Sequence, residues 1–289
     1  MTAILCALIS AILYGTGAAL EQHQAAAAPD EAAGRPMLLM LLLRRPWWLL
    51  GMAVELAGFG SHALALRSGP LTAVQMLLAS SLVFSVATVR LFSGRPVGRT
   101  GWAACLAVVA GVGSFVALIS PSSPGGSHAL PHHAGLAAAL LGISAALPAV
   151  IGLAASGRRR AVLLAVAAGL ADACTAVVTM AFSHAVGHGL TGTVGSWATW
   201  ALAVGGPCSL LLTQTAYQAA WPMITFPVIA VVTPMASLAV GAGLLGETTR
   251  LGAASGAAAG LAVLVTIAGL VVLARLAAAR PGSGALRPG

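Results

Sequence analysis

Charged residues are scarce in this chain of 289 residues, where they make up 7% of the sequence, and lysine is absent. A soluble domain carries about 25% charged residues. The chain is 59% hydrophobic and has a mean hydropathy of +0.97, so most of the surface of the folded protein would be too apolar for water. We expect the lipid bilayer to cover that surface. The net charge of +8 does not indicate a nucleic-acid partner, because the arginines fall between apolar runs, where they orient a membrane protein.

Cysteine and enzyme motifs are also in short supply. The four cysteines, Cys6, Cys105, Cys174 and Cys208, lie inside apolar segments without C-x-x-C spacing, so we interpret them as small core residues rather than disulfides or metal ligands. The sequence contains no G-x-S-x-G, H-E-x-x-H or Walker A motif. We therefore predict neither an enzyme nor a resident cofactor.

Long apolar runs dominate what is present. A segment that crosses lipid must satisfy its backbone internally, as a helix or a closed barrel, and a barrel needs a period-two alternation that these runs lack. A span takes about 20 apolar residues. The sequence therefore predicts an all-α integral membrane protein of about nine transmembrane helices, at 2–20, 47–66, 71–91, 101–120, 134–156, 161–183, 197–218, 222–246 and 253–276. The first run has no arginine before Arg35, which favours a retained helix over a signal peptide.

The distribution of arginine predicts the orientation. If the N-terminus lies outside, twelve of the 14 arginines fall on the inner side, and only Arg67 and Arg250 fall on the outer side. Arginine is enriched on the cytoplasmic side of membrane proteins. We therefore predict a multi-pass protein of the plasma membrane with its N-terminus outside and its C-terminus in the cytoplasm.

A weak internal repeat is visible at a shift of 152 residues, which aligns Trp48 with Trp200, His62 with Gln214, Pro70 with Pro222 and Gly94 with Gly246. Five helices precede the second copy, so the two copies would be inverted in the membrane, as in many secondary transporters. We predict a single transporter-like domain over 1–276, made of repeat one (1–156) and repeat two (157–276) in a 5+4 bundle. The tail 277–289 is expected to be disordered and cytoplasmic, and 120–131 to be an outer loop.

Two carboxylates lie well inside predicted spans. An ionised carboxylate at the bilayer centre costs roughly 3 kcal/mol, so such residues usually face the bundle interior and mark an ion or substrate path. Glu55 shares a helix stripe with Gly51, Gly58 and His62, and Asp172 shares one with Thr175 and Thr179. The alternative, that Glu55 and Asp172 are hydrogen-bonded links between helices, stays open.

Other polar residues extend this candidate site. Glu21 ends a stripe with Tyr14 and Gly17 on the first helix, where it could also lie at the wet interface. Gln214, Tyr217 and Gln218 lie on the seventh helix, and Pro222, Pro227 and Pro234 follow on the eighth. Proline removes a helix hydrogen bond, so these prolines either break the helix beside a cavity or only kink it.

Two further patterns are open to more than one interpretation. Histidines near the predicted outer side could bind a transition metal, although solvated loop histidines are the commoner explanation; they are His62, His128, His132, His133, His184 and His188. Gly252, Gly256 and Gly260 repeat every four residues, which is typical of a close-packing face. We expect that face inside the bundle, with a homodimer contact as the alternative.

The sequence resembles a known family. The stretches Glu55-Leu-Ala-Gly-Phe, His62-Ala-Leu-Ala-Leu and Gly69-Pro-Leu-Thr-Ala-Val-Gln75 are similar to the second and third helices of NIPA-type magnesium transporters, in the drug/metabolite transporter superfamily. Tyr14-Gly-Thr-Gly with Gln22, and Leu244-Leu-Gly-Glu247, also match. The resemblance implies a transporter with Glu55 at the family's acidic position in the second helix. The chain departs from the family in its alanine content and in lacking a basic cluster after the first helix.

Together these features predict a secondary transporter or facilitator that moves a small solute across the plasma membrane. The resemblance implies Mg²⁺. Glu55 and Asp172 would suffice as its ligands if their helix faces converge, since Mg²⁺ is often held by one or two carboxylates with several waters retained. Asp172 matches no motif of the family and is chosen only for its place inside a predicted span. The other expected substrate contacts are His62, Gln75, Gln214, Tyr217, Tyr14 and Glu21. Two alternatives stay open: an exporter of organic metabolites or drugs, and a non-transporting membrane assembly or regulatory protein.

Overall fold

The structure is a computed structural model, and it describes residues 2–68, 77–78, 80–93, 98–119, 133–186, 189–219, 222–244 and 253–278. Within these ranges the chain is helical and forms no strand. In chain order the helices are α1 (Thr2–Ala26), α2 (Pro36–Leu42), α3 (Pro46–Ser68), α4 (Ser81–Ser93), α5 (Arg99–Ile119), α6 (Ala134–Ala154), α7 (Gly157–Val186), α8 (Gly189–Gly195), α9 (Trp197–Ala219), α10 (Pro222–Gly243) and α11 (Ala253–Ala278). A 3₁₀ turn, Asp30–Ala32, lies between α1 and α2.

The all-α, membrane-embedded fold predicted from the sequence is confirmed in its coarse form. Each of the nine predicted spans contains a helix over its described residues. Four helical segments are long and apolar enough to cross a bilayer: Ile4–Ala26, Ala134–Ala154, Gly157–Thr179 and Ser255–Leu273. A fifth follows if α2 and the first part of α3, which meet at 95°, count as one bent span. The nine-span, 5+4 arrangement remains a prediction.

The first helix is longer than the sequence predicted. It continues past residue 20 to Ala26, because Glu21 to Ala26 are good helix formers and the next proline is Pro29. Pro36 then starts α2 and Pro46 starts α3, positions where a missing backbone N–H costs no hydrogen bond. The apolar run after Pro36 therefore forms a short separate helix.

Prolines do not interrupt the later helices. Pro207 lies inside α9, and Pro227 and Pro234 lie inside α10, yet both helices run through them. The broken-helix interpretation is therefore wrong for α10, and its prolines are accommodated within one continuous helix. The lost backbone hydrogen bonds leave carbonyl groups free on the preceding turn.

The helices pack in two similar groups. In one group α1 contacts α3 and α4, and in the other α7 contacts α9 and α10, with α6 on a further side of α7. The groups meet where α1 contacts α9 and where α10 contacts α4, and α5 pairs with α11 beside them. A core cluster that includes Leu38, Leu42, Trp48, Val108 and Leu273 is buried between these elements.

Glycines mark where helices come closest. A Cβ at Gly269 of α11 would lie 2.8 Å from Val108 of α5, and one at Gly111 would strike Thr266, so this pair packs backbone to backbone. By contrast, a Cβ at Gly256 or Gly260 has no atom within 4 Å. The expected packing of Gly252, Gly256 and Gly260 inside the bundle is therefore wrong for the latter two, and Gly252 lies outside the described residues.

The cysteines are all free, as expected, but they are not all core residues. Cys105 is buried, Cys6 and Cys174 are partly buried, and Cys208 is exposed. The predicted outer loop 120–131, and the tail from 279 onward, lie outside the described residues. The same holds for Gln75, His128, His132, His188 and Glu247.

Candidate functional site

The carboxylate stripes predicted on the first two spans face each other across the α1–α3 contact. A Cβ at Gly17 would lie 2.5 Å from Cγ of Glu55 and 2.8 Å from the carbonyl oxygen of Gly51. A Cβ at Gly51 would lie 2.9 Å from Cγ of Glu21. The missing side chains at Gly17 and Gly51 therefore make room for two carboxylate-bearing side chains in one narrow interface.

Helices α1 and α3 are also close in the part of the interface nearer the N-terminus of α1. The Ser10 hydroxyl donates a hydrogen bond of 2.8 Å to the Gly58 carbonyl oxygen. A Cβ at Gly58 would come within 3.4 Å of the Tyr14 ring. Tyr14 is in turn an electrostatic neighbour of Glu55. The small residues and Tyr14 thus hold α1 and α3 in a fixed register around Glu55.

Glu21 is buried rather than placed at a wet interface, which corrects the alternative raised from the sequence. It is 2% exposed, and its Oε2 accepts a hydrogen bond from Nε2 of Gln214 on α9, which is 0% exposed. The remaining Oε1 atoms of Glu21 and Gln214 are buried and have no hydrogen-bond partner among the described residues. Buried polar atoms are nearly always paired, so two unpaired acceptors at one point indicate a place that can receive a donor or a cation.

Asp172 of α7 joins the same region. Its Oδ1 accepts a hydrogen bond of 2.7 Å from the Ser209 hydroxyl of α9. Glu21 and Asp172 both lie close enough to Glu55 to interact with it electrostatically, and all three carboxylates interact in the same way with the buried Tyr217. Three acidic side chains from α1, α3 and α7 therefore converge around one face of α9. We call Glu21, Glu55 and Asp172 the carboxylate cluster.

The surroundings of this cluster are acidic or neutral over the described residues. Over the described residues, the electrostatic and hydrogen-bonding neighbours of the three carboxylates are other carboxylates, an amide and hydroxyls, with no basic side chain among them. Like charges this close repel, and low-dielectric surroundings strengthen the repulsion. A bound cation or proton would offset it.

One end of the cluster is closed by the connector between α1 and α3. Gln218, one turn beyond Gln214 on α9, donates hydrogen bonds to the carbonyl oxygens of Ala28 (3.2 Å) and Pro29 (2.7 Å). The backbone N–H of Gly34 donates to Oγ1 of Thr215 at 3.2 Å. Arg45 donates to the carbonyl oxygens of Gln24 and Ala27 at the end of α1. We call residues 27–45 the connector plug.

Some predicted site residues cannot be placed in this cluster. The side chain of His62 lies outside the described part of α3, as does that of His184 in α7. His133 starts α6 and is exposed. Among the described residues no group of three or more His, Cys, Asp or Glu could hold a metal ion. The outer-histidine hypothesis stays a prediction, because most of its residues are not described.

Sequence reasoning missed Ser209, although a signal was present. Ser209, Thr213 and Tyr217 recur every four residues on α9, so they share one helix face. A single serine in an apolar span is a weak signal of a site, because serine often hydrogen-bonds within its own helix. Here its hydroxyl binds a carboxylate on a neighbouring helix instead.

Comparison with known proteins adds a relative of the same length. The chain is 26% identical over 292 residues to an uncharacterized protein of Corynebacterium glutamicum, with 98% of each chain covered. No protein-family model matches the sequence. No solved structure matches it. The function of the cluster must therefore be argued from its own geometry.

Proposed function

We propose that this chain is a secondary transporter or facilitator that moves a small cation across the plasma membrane past the carboxylate cluster. The observation that carries the proposal is the convergence of Glu21, Glu55 and Asp172 from three different helices without a basic neighbour in the described residues. Ionisable residues are expensive within a membrane, and their usual role there is to form an ion or substrate path. A purely structural role would leave the three groups neutral and hydrogen-bonded between helices, and the loss of flux expected in Glu55→Gln separates the two roles.

The helix arrangement supports a transport role for the same site. Contacts of α1 with α3 and α4 are repeated by contacts of α7 with α9 and α10. The 152-residue shift predicted from the sequence carries the bounds of α3 onto 198–220, within one residue of the bounds of α9. It carries the bounds of α5 onto 251–271, which overlaps most of α11. Repeated halves with the binding site at their interface are a common construction of secondary transporters. The cluster draws on both groups, with Glu21 and Glu55 from one and Asp172 from the other.

Mg²⁺ is the cation that the family resemblance implies. Mg²⁺ keeps several waters and is usually bound through one or two carboxylates, which suits a cluster that lacks a compact set of three metal ligands. Glu55 of α3 and Asp172 of α7 are the proposed ligands of the cation, and Glu21 of α1 is the third carboxylate that it would pass. A monovalent or organic cation could use the same carboxylates, so the test includes both.

The experiment measures flux in liposomes with an entrapped Mg²⁺-sensitive dye, and in parallel uptake of a radiolabelled organic cation, tetraphenylphosphonium. Wild type is compared with Glu55→Gln, which has nearly the same shape but no charge. The matched control is Glu31→Gln, because Glu31 is exposed in the 3₁₀ turn outside the cluster. We expect flux of one cation in wild type and in Glu31→Gln, and a loss of about tenfold or more in Glu55→Gln.

Two results would overturn the proposal. Folded wild-type protein that moves neither cation would favour the non-transporting assembly or regulatory alternative. Flux that survives unchanged in Glu55→Gln would place the path elsewhere in the chain. Size-exclusion profiles and thermal unfolding of each variant separate these results from simple misfolding.

A further inference from the structure

A cleft of about 460 Å³ lies between α6, α7 and α9, beside the carboxylate cluster. It exists because its walls lack large side chains: Gly135 and Gly142 line it from α6, and Gly205 and Gly206 line it from α9. A Cβ at Gly205 or Gly206 would meet no atom within 4 Å. Most of its other lining residues are alanine, leucine and valine, so its surface is apolar.

One side of the cleft is open. Ala139, Gly142 and Ala146 of α6 and Cys208 of α9 line it and are exposed. Trp197, at the start of α9, forms one end of the cleft and is partly exposed as well. A molecule dissolved in the bilayer could therefore enter from the side without passing through the connector plug.

A carboxyl group, Asp172, lies behind the inner wall of the cleft. Ser209 lines the cleft, is 5% exposed and donates its hydroxyl hydrogen bond to Asp172. Ala171, Cys174 and Thr175, on either side of Asp172 along α7, also line the cleft. Asp172 is an electrostatic neighbour of Glu55, so the cleft adjoins the carboxylate cluster. An acyl chain of a neutral lipid would gain nothing from this carboxyl group.

We propose that the cleft binds a lipophilic organic cation, with its apolar body against the small residues of α6 and α9 and its charge toward Ser209 and Asp172. The volume lies within the range of about 300–1,000 Å³ that is usual for small-molecule sites. A carboxylate behind an apolar wall complements such a cation, and the Trp197 ring, twelve residues from Ser209 along α9, adds apolar surface for the body of the molecule. This inference rests on the proposed function, because it names a substrate class for the transporter.

The experiment uses two probes of the same shape and opposite charge, tetraphenylphosphonium and tetraphenylborate, with the purified full-length chain in nanodiscs. Saturable binding is measured by equilibrium dialysis. Occupancy is measured as slower modification of Cys208 by N-ethylmaleimide, because Cys208 is exposed and lines the cleft. We expect saturable binding and protection of Cys208 by the cation only.

Three variants test the geometry. Asp172→Asn keeps an acceptor for Ser209 but removes the charge, and we expect it to weaken cation binding by about tenfold, which corresponds to about 1.4 kcal/mol. Gly206→Leu fills the cleft at a position with open space, and we expect it to abolish protection of Cys208. Gly256→Leu, on α11 outside the cleft and also at a position with open space among the described residues, is the matched control with near-normal binding.

Equal binding of both probes, or an unchanged affinity in Asp172→Asn, would overturn the inference and indicate an ordinary lipid-filled groove. This failure is distinct from failure of the proposed function. Mg²⁺ flux that depends on Glu55, without binding of the organic cation in the cleft, would contradict the cleft proposal alone and support the transport proposal. Charge-selective binding in the cleft without any flux would support the cleft as a ligand site and contradict the transport proposal.

Discussion

Glu21 and Gln214 share one hydrogen bond between α1 and α9, and each keeps a buried oxygen atom without a partner. This arrangement is expected to lower the stability of the fold, because an ionised Glu21 would be repelled by Glu55 and would lack full solvation. Such a cost is typical of a functional site. We predict that Glu21→Gln raises the free energy of unfolding by on the order of 1 kcal/mol while lowering cation flux. Thermal unfolding in detergent and the liposome assay measure the two effects. A lower melting temperature together with full flux would contradict this assignment.

Gly17 gives a second prediction, because its hydrogen atom occupies the tightest point of the α1–α3 contact. A Cβ there would lie 2.5 Å from Cγ of Glu55 and 2.8 Å from the Gly51 carbonyl oxygen, so α1 and α3 must separate. We predict that Gly17→Ala lowers the free energy of unfolding by roughly 1–3 kcal/mol. Gly205→Ala is the control, since its Cβ meets open space, and it should leave stability unchanged or raise it by up to about 1 kcal/mol. Urea or thermal unfolding of both variants is the measurement, and equal stability would show that α1 and α3 are not held this closely.

The stripes of small and acidic residues were predictable from sequence, because helix periodicity determines which side chains share a face. Gly51, Glu55 and Gly58 recur at spacings of four and three, and in the structure they do face α1. The burial of Glu21 was not predictable, because it depends on Gln214, which lies 193 residues away. Partners of this kind follow from tertiary packing, which helix periodicity does not determine.

The connector plug ties the end of α1 to the start of α3. Arg45 donates hydrogen bonds of 2.7 and 3.1 Å to the carbonyl oxygens of Gln24 and Ala27 at the C-terminal end of α1, where the usual donor four residues on is missing. Hydrogen bonds from a charged donor contribute roughly 1.5–3 kcal/mol each when buried. We predict that Arg45→Ala raises the hydrogen exchange of amides in 25–43. Arg44→Ala is the control, because Arg44 is exposed, and equal exchange in both variants would show that Arg45 does not fix the plug.

Hydropathy located the helices well but not the limits of α1. The apolar run stops near residue 20, where the predicted span ends, but α1 continues to Ala26 because Glu21 to Ala26 favour a helix and Glu21 packs against α3 and α9. No span is predicted between residues 20 and 47, where the connector plug lies. Its 95° turn onto α3 depends on the prolines at 36 and 46 and on burial of Leu38 and Leu42.

The two helix groups have similar contacts but different surroundings, which limits how far the repeat can be read from sequence. Trp48 and Trp200 align at the 152-residue shift, yet Trp48 is 2% exposed and Trp200 is 63% exposed. Trp48 packs in the main core cluster, whereas the start of α9 lies beside the cleft. A shared contact pattern thus carries two different roles: one group brings Glu21 and Glu55, and the other adds Asp172 together with the lateral cleft.

The orientation of the entire chain gives the last prediction. If nine spans are present, the two ends lie on opposite sides, and the arginines of 158–160 lie on the inner side with the N-terminus outside. Alkaline phosphatase joined after residue 127 should then be active, because it lies outside, whereas the same enzyme joined after residue 159 or at the C-terminus should be inactive. Green fluorescent protein at these three positions should give the reverse pattern. Activity of the phosphatase at the C-terminus would show an even number of spans or the opposite orientation, and the side toward which the connector plug closes the carboxylate cluster would then have to be reassigned.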